Sequence, residues 1–205
     1  NTLNLKAVIT SNDDIFLHLT PNKMQLAAKA LICKVHSGII ISEHDTGRTD
    51  DMNIIRADKL TKQYGDFKAV NGISFTVEKG ELLGFLGVNG AGKSTTINML
   101  STLIPLTSGS AEICGFDVMK NAPEIRRRIG IVYQQNCLDD MLTVKEHLIC
   151  RGVLHGASSS EAKKRLTELA DILSLSEFIG KRYKTLSGGQ KRRCEIAAAL
   201  MHTPD

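Results

Sequence analysis

Gly87-Val88-Asn89-Gly90-Ala91-Gly92-Lys93-Ser94 fits the pattern G-x-x-x-x-G-K-[ST] at every fixed position, and no other stretch constrains the fold so tightly. Glycines at this spacing let a loop curl until successive backbone N–H groups point inward, forming a cradle for phosphate oxygens. The apolar run Glu81–Leu86 ahead of the loop reads as a short strand, and a helix is expected from about Lys93. That helix brings the positive end of its dipole to the same spot. Lys93 supplies a point charge for the β- and γ-phosphates, and the Ser94 hydroxyl is placed to ligate Mg²⁺, with Thr95 beside it. The alternative is a chance match, expected in about 1% of such chains at average residue frequencies. A position between strand and helix makes chance a poorer account still.

A second pattern lies downstream at Leu186-Ser187-Gly188-Gly189-Gln190, followed by the basic run Lys191-Arg192-Arg193 and a helix of small residues. Taken alone it is an ordinary helix entry, with Ser187 as the cap and the glycines easing the turn. Downstream of a phosphate loop it carries more weight. The helix places Cys194, Ala197, Ala198 and Met201 on one face, a stripe small enough for close approach to a neighbour.

The two motifs together resemble the ATP-binding cassette family, over about residues 53–205. The resemblance implies an α/β fold: a P-loop NTPase core with an N-terminal antiparallel β layer and a helical subdomain at about 135–184. It implies that Tyr64 stacks on adenine, and that Gly87, Asn89, Gly90, Ala91, Gly92, Lys93, Ser94 and Thr95 hold the phosphates. Gln134 matches the glutamine that senses Mg²⁺ and the attacking water. Ser187, Gly188, Gly189 and Gln190 would close the site of an opposite copy. Lys93, Gln134 and Ser187 are thus the expected catalytic set, with Ser94 and Gln134 serving the metal. The cofactors implied are ATP and Mg²⁺. The partners implied are a transmembrane permease subunit, faced by Leu138–Val144, and a second nucleotide-binding domain in a homodimer.

In wording, Cys114–Val118, Arg127–Gly130 and Arg151–Gly156 look most like multidrug and daunorubicin-resistance exporters. Such a subunit would be membrane-associated, peripheral on the cytoplasmic face. The competing reading is a soluble cassette ATPase without a membrane partner, acting in DNA repair or translation. A binding-only fragment is the third. The family would continue past Asp205 into an apolar strand ending in Asp-Glu, so the chain reads as C-terminally truncated before that strand, and inactive as it stands.

Composition narrows the rest. Hydrophobic residues at 42% and charged residues at 23% suit a globular protein. The net charge of +4 suits an anionic ligand but does not by itself indicate nucleic acid. Arg126–Arg128 and Lys181-Arg182 lack aromatic interleaving, so no nucleic-acid partner is expected. Five scattered cysteines and six histidines show neither disulfide nor metal-ligand spacing. No run reaches the ~18 apolar residues of a membrane span, and Asn1–Lys6 lacks the start of a signal peptide.

Elsewhere, strands are expected at Ile54–Leu60, Lys68–Val77, Ser110–Cys114 and Ile129–Tyr133, and helices at Val144–Leu154 and after the capping box Ser158-x-x-Glu161. Residues 1–51 read as a separable extension or the tail of a preceding segment. Within them, strands are expected at Leu5–Ile9 and Gly38–Ile41, a helix after Thr20-Pro21, and a polar linker at Glu43–Asp51.

Overall fold

The computed structural model describes residues 8–9, 15–19, 38–42, 53–79, 83–85, 88–133, 135 and 137–202. β4 (Asn53–Tyr64) and β5 (Phe67–Glu78) form a long antiparallel hairpin. The turn at Gly65-Asp66 holds Gly65 at φ 56°, the left-handed region that glycine occupies without penalty. In β4, buried Ile55 and Ala57 alternate with exposed Arg56 and Asp58, the period of a sheet with one wet face. The other edge of β4 pairs with β6 (Ser108–Ile113), and β6 with β7 (Phe116–Asp117). This sheet, ordered β5-β4-β6-β7, is the expected antiparallel layer. The hairpin outruns the apolar signal because its ends, Thr61–Tyr64 and Phe67, are held by backbone pairing.

The second sheet is mixed, in the order β1-β2-β3-β8. It comprises β1 (Val8–Ile9), β2 (Ile15–Leu19), β3 (Gly38–Ser42) and β8 (Ile129–Val132). β3 runs antiparallel to β8, from Gly38 opposite Val132 to Ile41 opposite Ile129. Part of the stretch read as a separable extension therefore lies beside the core. The helix expected after Thr20 and the linker at 43–51 lie outside the described residues. The strand expected at Glu81–Leu86 is described only at Leu83–Phe85, which form no ladder. They are half-buried, with Phe85 edge-on to Phe75 at 5.2 Å. An apolar run becomes a strand only beside a partner backbone, and periodicity alone cannot provide one.

The helices are α1 (Lys93–Leu100), α2 (Ala122–Arg128), α3 (Val144–Leu154), α4 (Ser159–Ile172) and α5 (Gly188–Leu200). α3, α4 and α5 all begin with reciprocal capping boxes: Thr143 with Glu146, Ser158 with Glu161, and Ser187 with Gln190. Each satisfies backbone donors that a helix start would leave open. Arg193 donates to the Ser174 carbonyl at 3.0 Å just past the end of α4, with its guanidinium 4.8 Å from the Phe178 ring.

Two hydrophobic clusters result. One joins β4–β7, α1 and α2; the other joins α3, α4, α5 and the turn at Tyr183. β8 contributes to both, with Ile129 in the first and Val132 in the second. Between these two, a Cβ added at Gly130 would lie 2.4 Å from the Ala199 carbonyl oxygen. The expected close approach of the small-residue helix is therefore made against β8. His202, following α5, hydrogen-bonds through Nε2 to the Ile129 carbonyl at 3.1 Å and stacks on His155 at 4.2 Å.

Gly130→Ala should destabilise the domain by about 1–3 kcal/mol through overpacking. Gly180→Ala, with open space at its Cβ, should change stability by less than ~0.5 kcal/mol. Urea denaturation of the two variants checks this.

A second expectation concerns acid. Burial, and then the neighbouring His155, push the His202 pKa down to about 4. The unfolded chain takes up that proton near its ordinary value, about 6.5, so the stability His202 contributes is present above that pH and is lost as pH falls toward 4. Melting temperatures across that window should fall less steeply in His202→Gln than in the native chain.

Candidate functional site

The phosphate loop is described from Val88 onward; Gly87 lies outside the described residues. The Ala91 N–H closes the turn onto the Val88 carbonyl at 3.1 Å. Gly90 and Gly92 take φ angles of 86° and 85°, so the glycine pattern answers a real backbone demand. Gly92 is also wedged against the sheet: a Cβ there would lie 2.3 Å from the Ala69 carbonyl oxygen on β5. That steric reason could not be read from the motif.

Gly92 is the N-cap of α1, and no side chain caps this helix. Unlike α3, α4 and α5, it meets the loop with its dipole end uncovered by a capping group, the arrangement that favours an anion. Lys93 folds across the loop, its Nζ donating to the Val88 carbonyl at 3.0 Å. Ser94 is exposed and Thr95 half-buried on the first turn. Thr96 is buried, with its hydroxyl on the Gly92 carbonyl at 3.0 Å. Asn89 and Ala91 are exposed at the loop surface.

Tyr64 ends β4 at the hairpin tip, 52% exposed. The Lys62 ammonium lies 5.0 Å from the ring centroid, and the same Nζ donates to the Pro105 carbonyl at 2.9 Å. A tethered cation thus lies against the ring. Phe67, opposite Tyr64 in the hairpin, is 65% exposed.

Ser187, Gly188 and Gly189 are exposed at the start of α5. The Ser187 hydroxyl accepts the Gln190 N–H at 3.3 Å, and the Gln190 carboxamide oxygen accepts the Ser187 N–H at 3.0 Å. Gln190 thus spends its side-chain oxygen on holding the helix entry. Leu186 belongs to the helical cluster, whereas α1 belongs to the sheet cluster, so the two motifs sit on different cores. Gln134 lies outside the described residues, between exposed Tyr133 and Gln135.

Sequence reasoning missed a buried polar group on α5. Tyr183 donates its hydroxyl to Glu195 at 2.9 Å, and Glu195 pairs with Arg192 at 3.1 Å. Burial and the adjacent carboxylate raise the Tyr183 phenol pKa. The spacing Arg192-x-x-Glu195 on an apolar helix was the available signal; the contact with Tyr183 left none.

These features define a class. Residues 70–205 match the family profile described as ABC transporter, and the chain belongs to that family. It is 43% identical over 152 residues to the linearmycin resistance ATP-binding protein LnrL of Bacillus subtilis, covering 74% of this chain and 49% of that protein. It is 41% identical over 157 residues to the daunorubicin/doxorubicin resistance ATP-binding protein DrrA of Streptomyces peucetius, covering 77% and 48%. The chain thus spans about half the length of these relatives. In structure it is similar to a bacterial ABC transporter cassette solved as a dimer, with a TM-score of 0.64 and 30% identity over 73% of this chain and 70% of that one. Among the described residues no helix is long and apolar enough to cross a membrane.

Gly92→Ala should push the loop off β5, since the added methyl meets a carbonyl and the residue must hold a positive φ. Calorimetric titration with inorganic triphosphate should show binding lost or weakened at least about tenfold, a cost of ~1.4 kcal/mol. Retained affinity would refute the steric role.

Proposed function

We propose that this chain is the ATP-binding part of an ABC exporter subunit that hydrolyses ATP to drive a separate membrane component. The observation that carries this reading is the uncapped start of α1, with Gly92 wedged on β5 and Lys93 folded over the loop. The backbone amides and Lys93 attract the polyphosphate, and Tyr64 offers a ring face for adenine. The exposed Ser94 hydroxyl, together with Gln134, suits a hard cation such as Mg²⁺. When bound, that ion would neutralise charge developing on the transferred phosphoryl group.

The site is completed by a second copy. Ser187 and the glycine amides at the start of α5 form another helix-entry anion site, on a different core from the phosphate loop. A two-fold dimer would set each Ser187 against the γ-phosphate held by the other copy's Lys93. The similar bacterial cassette was solved as a dimer, which favours this arrangement. Met141, 58% exposed ahead of α3, offers an apolar contact for the membrane partner. The resistance functions named for the two relatives favour export over repair or translation. Attachment would then be peripheral, on the cytoplasmic face.

Turnover assays on the full-length chain, beside nucleotide titrations, test the reading. Ser187→Arg should leave ATP affinity within about twofold of native while abolishing ATP-dependent dimerisation and turnover; normal turnover would remove the cross-subunit role. Tyr64→Phe should bind ATP like the native chain. Tyr64→Ala should lose the ~1–3 kcal/mol of a base-stacking contact, and equal affinity in all three forms would show that the ring is not an adenine platform.

A further inference from the structure

Tyr64 stands at the end of β4 with about half of its surface in water, and a neighbour on its own strand holds its ring. β4 and β5 pair unevenly just before it: the register shifts between Leu60 and Lys62, and again between Lys62 and Gln63. Irregularities of this kind re-aim side chains away from a strand's regular alternation. Here half-buried Lys62 lies with its ammonium over the Tyr64 ring, 5.0 Å from the centroid. An exposed cation–π contact is weak by itself, and a lysine stem has much rotamer freedom to lose. A second tether offsets that loss, since the same Nζ donates to the Pro105 carbonyl at 2.9 Å.

Pro105 lies in the loop between α1 and β6, and that loop is fastened at both ends. The Leu103 and Ile104 N–H groups both donate to the Asn98 carbonyl in the last turn of α1, at 2.9 and 3.2 Å. At the other end the Thr107 N–H donates to the Thr61 carbonyl at 2.9 Å, and the Thr107 hydroxyl accepts the Gln63 N–H at 3.0 Å. Pro105 has a fixed φ, which further limits where its carbonyl can point. Lys62 therefore joins the Tyr64 ring, across 43 residues of chain, to a loop that α1 sets. α1 is the helix whose first residue is Lys93.

We propose that Lys62 is a positioning residue for the base end of the nucleotide: it pins the Tyr64 ring to the loop after α1, so that the helix beginning at the phosphate loop also sets where the adenine platform stands. A ring already held in one orientation loses less freedom when a flat base stacks on it. The base then takes the face turned away from the ammonium. The spacing between polyphosphate and base is kept by one helix and its loop, with no separate adjustment of the hairpin tip. The inference rests on the reading of Tyr64 as the adenine platform.

The test titrates the full-length chain calorimetrically with ATP and, separately, with inorganic triphosphate. It compares Lys62→Met, Lys62→Arg, Tyr64→Ala and the Lys62→Met/Tyr64→Ala double variant. Methionine keeps an unbranched stem and removes the charge and the donors. Lys62→Met should weaken ATP binding about three- to fivefold, the scale of one exposed cation–π contact. Its triphosphate affinity should stay within about 1.5-fold of native, a split between base and phosphate that general loosening of the site would not produce. Lys62→Arg, which keeps a cation and a donor, should recover most of the ATP affinity. In the Tyr64→Ala background Lys62→Met should cost nothing further, because it acts through the ring. Native ATP affinity in Lys62→Met, an equal loss for ATP and triphosphate, no recovery in Lys62→Arg, or a further loss in the double variant would each overturn the inference. If Lys62→Met is unfolded by circular dichroism, Lys62→Gln decides by the same outcomes. Native ATP affinity in Tyr64→Ala would instead remove the underlying reading of Tyr64.

Discussion

The contact between β8 and α5 holds the molecule's two halves in register. At Gly130 the backbones come close enough that one methyl group would meet the Ala199 carbonyl. Ile129, on one side of this point, belongs to the sheet cluster that supports the phosphate loop, and Val132, on the other, belongs to the helical cluster that supports Ser187. Close-packed interiors have little compliance, so a shift at this point is passed to both motifs. Small residues along α5 are what permit the approach, and its burial on all sides from Cys194 to Met201 is the consequence.

Helix starts divide the labour in this fold. Three of the five described helices close their entries with reciprocal side-chain hydrogen bonds. At α1 the N-cap is a glycine with no side chain to offer, and its backbone is pressed against β5. A capping carboxylate there would bring a negative charge to the spot where a polyphosphate would lie. The entry of α5 is intermediate: Ser187 and Gln190 cap each other, while the glycines between them stay exposed. That combination gives a rigid helix entry with an open surface, as a contact made by a second molecule requires.

Polar groups in the helical half serve geometry more than stability. An ion pair as buried as Arg192–Glu195 gains little over apolar packing, yet it brings a phenol, a carboxylate, a guanidinium and a distant carbonyl into one line. Arg193, its neighbour, faces the end of α4 instead. Three successive basic residues thus act on three different targets, with Lys191 reaching Asp140. A run that reads in sequence as one basic patch is mechanically three separate struts.

What the sequence by itself determined is whatever local spacing encodes. The phosphate loop, the Leu186–Gln190 motif, the Ser158 capping box and the hairpin turn at Gly65 are all set by residues within one turn of each other. Their hydrogen bonds span five positions or fewer, so a pattern of residue types is enough to specify them. α2 was less legible, because it buries a single side chain, Ile125. β2 was not read at all, and Leu83–Phe85 had the apolar signal of a strand without the ladder. Tertiary structure alone decided that Gly92 meets Ala69, that Gly130 meets Ala199, and that Arg192 reaches the Tyr133 carbonyl across 59 residues of chain. Those contacts depend on how two hydrophobic clusters settle on a shared strand. That arrangement minimises exposed apolar surface over the whole chain, and no short window of sequence contains it.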